Sequence, residues 1–250
     1  MSFFNFRKSG SGGGHIKDPD VLLQVLRETH AQNAMDQFRA LCAGHSDMIF
    51  KHFPSWAVVP YDIRHDQVAV NAYAQTLIDA ANYFARRGNY ALIELLRGGG
   101  DNPMDRWDEA FHLFEQEMKK FDFAEARNIL QEVVAEMRDL KGPGVDMRKP
   151  YVHERLAWLF FLTGDYESAE LHGRTALQGF EKIGNVNGVM AITRRLADIF
   201  KAAGNRNAFV YWITTHTNIL IQTGHTENAT AIRRLNGIEP LEGLIEVKDE

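Results

Sequence analysis

Gly164-Asp165-Tyr166-Glu167-Ser168-Ala169 is the stretch on which the fold is decided. Apolar residues recur at helical spacing on both sides of it, so it reads as a tight turn between two helices. Approximate copies stand at Gly88-Asn89-Tyr90-Ala91, Phe121-Asp122-Phe123-Ala124-Glu125-Ala126 and Gly204-Asn205-Arg206-Asn207-Ala208. Equivalent positions are 33 residues apart from 88 to 121, 43 from 121 to 164 and 40 from 164 to 204. A turn that returns in this way, with a helix on each side, describes a row of helical hairpins.

Composition narrows the functional classes. With 250 residues and 45% hydrophobic side chains the chain can bury a sizeable core. Its 28 basic and 33 acidic residues leave a net charge of -5, so no global positive field draws in a phosphate backbone, and nucleic acid is not an expected partner. The single cysteine, Cys42, can form neither an internal disulfide nor a cysteine-rich zinc site. No apolar run approaches the roughly 20 residues that span a bilayer, so stable membrane insertion is not expected. The start, Met1-Ser-Phe-Phe-Asn-Phe-Arg-Lys, lacks the apolar core and cleavage site of a secretory signal, which makes the cytoplasm the expected location.

The chain divides into four segments by composition. Residues 1–17 hold an aromatic and basic tip (Phe3, Phe4, Phe6, Arg7, Lys8) and a Ser/Gly tether from Ser9 to Gly14, expected to be flexible. Residues 18–65 form an amino-terminal cap. There Val21, Leu22, Val25 and Leu26 share one helical face behind a cap at Asp18 or Asp20, and a second helix runs from about Ala34 to Cys42. From Ile49 to Tyr61, Pro54 and Pro60 predict an ordered connector without regular helix, with room for a short strand. Residues 66–235 are nearly all helical, punctuated at 98–103, 142–144, 184–188 and 236–240 by Gly, Pro and Asn clusters. Residues 236–250 form a solvated tail.

The hairpins resemble tetratricopeptide repeats, the bacterial-type helical-repeat family with a period of about 34 residues. In the best copy Leu156 and Ala157 match the family's leucine and small residue, Phe160 its aromatic, Tyr166 its turn aromatic, and Ala169 and Ala176 its close-packing alanines. Gly173 departs, standing where a large aromatic usually packs. Leu196, Ala197 and Phe200 carry a second copy; Leu77, Ala80, Ala81, Phe84 and Tyr90 a third; Leu113, Phe123, Ala126, Leu130 and Val134 a fourth. The resemblance implies an all-α solenoid of about four hairpins over residues 66–222, with a capping helix over 226–235.

It also implies a function. First helices of successive hairpins in such solenoids line a concave face on which partner segments bind, so first-helix residues outside the packing pattern are the candidate contacts. These are Glu115 and Met118, beside Asp108 and Phe111; Tyr151, Glu154 and Trp158, beside Phe161; and Arg194, Asp198 and Lys201. Trp158 is the expected anchor, and Arg194 with Lys201 the expected carboxylate partners, while helical periodicity turns Arg195 away from Arg194. The expected activity is that of a non-enzymatic adaptor or assembly factor for a protein or peptide partner. The alternatives are a regulatory receptor for a peptide or small signal, a histidine-dependent enzyme, and self-association through an apolar last repeat (Tyr211, Trp212, Ile219, Leu220).

The chain has 10 histidines, but it lacks a His-Glu-x-x-His pair, a Gly-x-Ser-x-Gly elbow and a Gly-Lys-Ser/Thr phosphate loop. The nearest arrangements are His112 with Glu115, His153 with Glu154, Asp62 and Asp66 around His65, and Cys42 with His45. Each has a plainer reading. Asp66 starts a helix, and Cys42 with His45 reads as a core thiol beside a surface imidazole. The glycines before Asp101-Asn102-Pro103 lack the lysine of a phosphate loop. No cofactor or metal is expected.

Overall fold

The computed structural model describes residues 16–99 and 102–238. The aromatic tip, the Ser/Gly tether, Asp101 and the tail beyond Ile238 lie outside the described residues. Within them there are twelve α-helices and no strand: α1 (Pro19–Ala31), α2 (Met35–Gly44), α3 (Ser46–Trp56), α4 (Gln67–Ala85), α5 (Ala91–Leu96), α6 (Pro103–Lys120), α7 (Phe123–Met137), α8 (Pro143–Leu162), α9 (Tyr166–Lys182), α10 (Val186–Ala202), α11 (Arg206–Gln222) and α12 (Thr226–Leu235). From α6 to α12 each helix packs chiefly on its neighbours in sequence, whereas α3 packs most extensively on α8, and α1 and α2 also pack on α4.

The turns recur more regularly than the motif copies suggested. Gly164, Gly184, Gly204 and Gly224 all adopt the left-handed conformation and stand 20 residues apart. A residue without Cβ is favoured there. After each glycine the next N–H reaches back to close the preceding helix: Asp165 to the Phe160 carbonyl at 3.0 Å, Asn185 to Phe180 at 2.9 Å, Asn205 to Phe200 at 2.9 Å and His225 to Leu220 at 2.7 Å. The same residue then opens the following helix, since Asp165, Asn185 and Asn205 accept from the N–H groups of Ser168, Gly188 and Ala208. Phe121 takes the left-handed conformation without being glycine, and Asp122 caps α7 in the same way. One residue thus closes one helix through its backbone N–H and opens the next through its side chain. Hydrogen bonds from Ser168 hold the Asp165 carboxyl below the usual carboxylate range. Asp165→Ala is expected to cost about 1 kcal/mol in urea unfolding, and Asp165→Asn only a few tenths, because asparagine also caps.

Small residues let consecutive helices approach. A Cβ on Gly188 would lie 2.3 Å from the fully buried Phe180 ring, and one on Gly179 2.6 Å from the Pro150 ring within α8. At Gly173, where the family carries a large aromatic, a Cβ would lie 2.7 Å from Leu196 Cδ2, so α10 fills that space across the hairpin boundary. The missing aromatic leaves no gap.

Two cores result. One joins buried residues of α1 to α5, among them Leu22, Phe38, Phe53, Trp56, Tyr73 and Leu92; the other joins α6 to α11 through Trp107, Leu130, Leu156, Leu196 and Ile213. The α4/α5 hairpin, grouped with the later hairpins by its motif, therefore shares its core with α1 to α3.

The connector expected over Ile49 to Tyr61 is corrected. Residues 46–56 form the regular helix α3 with Pro54 inside it. Proline forfeits an N–H bond to the carbonyl four residues back, here Phe50, but the helix ends two residues later, so only one bond near its end is lost. Burial of Ile49, Phe53 and Trp56 outweighs it. This helix is also the joint between the cores. Ser55 Oγ accepts from the Val145 N–H at 3.0 Å and His52 Nδ1 from the Lys141 N–H at 3.0 Å, so α3 side chains satisfy backbone donors at the start of α8.

Candidate functional site

Tyr151, Glu154, Arg155 and Trp158 follow the i, i+3, i+4, i+7 spacing of a single helix face. The remaining sides of α8 are buried through Val152, His153, Leu156, Ala157, Leu159 and Phe160. That face of α8 borders a cleft of about 500 Å³ whose other walls are Phe114, Glu115, Met118 and Lys119 of α6 and Arg195 of α10. Five of the eight contacts expected from sequence therefore meet: Glu115, Met118, Tyr151, Glu154 and Trp158.

Trp158 is half-buried, with its ring stacked on Phe161 at 5.4 Å and an interplanar angle of 20°. On Trp158 lies the guanidinium of Arg195, whose Cζ is 4.0 Å from the ring centroid. The buried Arg195 Nε has no hydrogen-bond partner among the described residues. Burial disfavours its charged form and pulls its pKa down, against the opposing pull of Glu154 and Asp198. Arg155 sits 4.7 Å over the Phe111 ring and only 3.9 Å from Glu115, a loose ion pair. Tyr151 is fixed at both ends, accepting from Asn185 Nδ2 at 2.8 Å and meeting Phe180 edge to face. Asp108 is engaged by Arg148 through two hydrogen bonds.

The other three expected contacts lie elsewhere. Arg194 pairs with Asp198 at 3.3 Å within α10 and borders a separate cleft of about 470 Å³ shared with α11 and α12. Lys201 lies 5.5 Å from the Phe209 ring and 3.4 Å from Asn236 Oδ1. The expected carboxylate pair of Arg194 and Lys201 is not assembled: Arg194 is already matched, and Lys201 faces the last helices. Arg195 is the cation brought to Trp158. Helical periodicity separated Arg195 from Arg194 correctly, but it could not say which of the two faces the tryptophan.

A further cleft, of about 690 Å³, was not anticipated. It lies between α1, α4 and the α8 and α9 ends, bordered by Arg27, Tyr73, Asp146 and Lys182. Some of its charged groups are engaged. Lys182 Nζ lies 2.7 Å from both Asp146 oxygens, His30 is 2.8 Å from Asp79, and Arg27 covers the Tyr73 ring. Burial and the neighbouring Asp146 raise the Asp20 carboxyl above its usual range.

The histidine arrangements separate. His65 accepts from Arg64 Nε at 3.0 Å, and Asp66 caps α4 through the Val68 and Ala69 N–H groups instead of orienting an imidazole. His153 bonds His172 at 2.8 Å, Nδ1 to Nδ1, with the two rings stacked. His45, expected at the surface, is buried; Cys42 is fully buried, and its thiol is pushed up to about 12 by desolvation. Among the described residues no three His, Cys, Asp or Glu side chains are placed to hold a metal ion, and no helix is long and apolar enough to cross a membrane. In the apolar last repeat Trp212 and Leu220 are buried and Tyr211 is 61% exposed.

No protein-family model matches the chain, and a search of curated proteins finds no match.

Proposed function

We propose that this chain is a tetratricopeptide-like helical-repeat adaptor or assembly factor that holds a partner segment in the cleft around Trp158. The reading rests on one observation above the rest: a half-buried tryptophan, with an arginine over its ring that makes no ion pair among the described residues, borders a cleft walled by α6, α8 and α10. Tryptophan and arginine supply much of the affinity in protein interfaces, where a few anchors dominate and the surrounding contacts mainly exclude water. The recurrence of one turn chemistry at 20-residue steps supports the solenoid reading, since identical turns repeat the same change of direction.

The test is selection of a displayed library of random short peptides on the intact chain, followed by titration of the recovered peptides. Trp158→Ala is expected to weaken them at least tenfold while circular dichroism stays that of the parent, and Trp158→Phe, which keeps a ring, to weaken them less. Unchanged affinity in Trp158→Ala would place the binding surface elsewhere.

A further inference from the structure

The cleft between α1, α4 and the α8 and α9 ends adjoins a second, of about 400 Å³, and Pro60, Pro143, Asp146 and Lys182 border both. Together they cross the seam between the two large cores, with α1 and α4 on one side and α8 and α9 on the other. Their charges do not balance. Five carboxylates line the pair (Asp20, Glu28, Asp62, Asp146 and Glu181) against two cations, Arg27 and Lys182. Lys182 is engaged by Asp146, Arg27 lies 5.2 Å from the Tyr73 ring centroid, and His30 bonds Asp79. Lys17 and Asp18, just before α1, offset one another. The half-buried Asp20 carboxylate forms neither a hydrogen bond nor an ion pair among the described residues. Burial first, then Asp146 and Asp18, push its carboxyl up, while Lys182 and Lys141 oppose them. Between the charges lie apolar side chains, Leu23, Ala69 and Ala72 in the first cleft and Met147 and Ile183 in the second. A matching occupant carries cations beside apolar groups.

The chain carries such a segment next to the cleft. Phe3-Phe4-Asn5-Phe6-Arg7-Lys8 holds three aromatic rings, two cations and no acid. Ile16, the first described residue, packs on the core of α1 to α5, four positions before Asp20. Residues 9–15 can extend roughly 25 Å, and a Gly/Ser-rich stretch of that length averages about 15 Å from end to end. The cleft follows α1 from Asp20 to Ala31, about 17 Å, so its whole length is within reach. We propose that residues 3–8 of the same chain dock into this cleft, with Arg7 and Lys8 against Asp20 and Asp146 and the phenylalanines on the apolar wall toward Pro60 and Pro143. The tether sets that order. Arg7 and Lys8 adjoin it, and Asp20 lies in the first turn of α1, where the tether arrives. Attachment at this range raises the effective concentration of the tip to the millimolar order, so contacts of modest strength suffice. Docked, the tip brings cations to a carboxylate without a partner and lays aromatic area across both cores. It acts as a strap over their seam, independently of what the Trp158 cleft holds.

The test uses the full chain with Ser2→Cys, spin-labelled at that position; Cys42 is fully buried and stays unlabelled. Amide signals of Leu23, Ala72, Asp146 and Lys182 are expected to disappear with the active label and to return when it is reduced, while those around Trp158 persist. Arg7→Glu combined with Lys8→Glu is expected to restore the cleft signals, and Asp20→Asn to restore them in part. Phe3→Ser, Phe4→Ser and Phe6→Ser together are expected to lower the thermal midpoint by about 2 °C. These tip substitutions lie outside the described helices, so the fold itself is left intact. Signal loss spread evenly over the surface, or a cleft pattern that survives the double charge reversal, would overturn the docking. The same pattern in an isotope-labelled chain without a spin label, mixed with spin-labelled chains of natural isotope content, would place a second copy's tip in the cleft and overturn the intramolecular assignment. An unchanged midpoint in the serine variant would overturn the strap.

Discussion

Gly142→Ala is expected to destabilise the chain by about 4 kcal/mol, which corresponds to a fall of roughly 10 °C in the thermal midpoint for a protein of this size. Two independent costs add. Gly142 has φ 120° and ψ 177°, a region open almost only to glycine. A Cβ there would also lie 2.5 Å from Trp56 Cδ1 and 3.0 Å from Ser55 Oγ. Trp56 is fully buried and cannot swing aside, and Ser55 cannot retreat without releasing the Val145 N–H. Gly164→Ala is the control. Its φ is 80°, but a Cβ would meet nothing within 4 Å, so only the backbone cost of about 1 kcal/mol applies. Equal losses at the two glycines, read from urea unfolding, would show that the contact between α3 and the start of α8 contributes nothing to stability.

The second large effect is acid lability. His52, His153, His172 and His216 all titrate below the ordinary histidine value, in each case first because burial disfavours the imidazolium. Lys51 adds to this for His52, and His172 with Lys149 for His153, which is lowered to about 4; Asp165 opposes it at His172. A base whose folded value lies below its unfolded value binds fewer protons folded than unfolded between the two. Stability is therefore full above the ordinary value of 6.5 and is lost as pH falls toward the folded value. His153 alone would contribute a loss on the order of 2 kcal/mol by about pH 5. The hydrogen bonds agree in sign. His153 and His172 share one proton between two Nδ1 atoms, and His52 Nδ1 accepts from the Lys141 N–H, so a proton added at either place removes an acceptor. Urea midpoints are expected to drop between about pH 7.5 and pH 5, with a shallower drop in His153→Gln, which does not titrate. A flat profile in the parent chain would mean these rings are not desolvated.

Helix α3 shows where local reading loses to packing. Pro54 is a valid breaker signal, and nothing nearby in the sequence reveals that the helix needs only two further residues or that Phe53 and Trp56 will be buried against distant segments. The α4/α5 hairpin shows the converse. Its turn was legible as a repeat turn, yet its core partners are α1 to α3, a choice made by contacts between residues far apart in the chain. At the candidate site, Trp158 and its α8 neighbours were legible because a helix face follows from spacing alone. Arg195 was not, because which of two adjacent arginines meets a given tryptophan depends on the rotation of α10 against α8.

By itself the sequence determined the all-helical class, most helix boundaries and the turns between hairpins, because these depend on periodicity, glycine conformation and capping side chains within a few residues. The regular 20-residue spacing of Gly164, Gly184, Gly204 and Gly224 was present in it and readable without coordinates. Only the tertiary structure decided how the apolar faces divide into two large cores, which cleft gathers Glu115, Glu154 and Trp158, and that Arg195 enters it over Trp158 with no ion pair among the described residues while Arg194 is matched by Asp198. The physical reason is range. Backbone hydrogen bonds and caps are settled within a turn of helix, whereas burial, ion pairing and desolvation depend on side chains that the chain brings together from 40 or more positions apart, as Glu115 and Arg155 are.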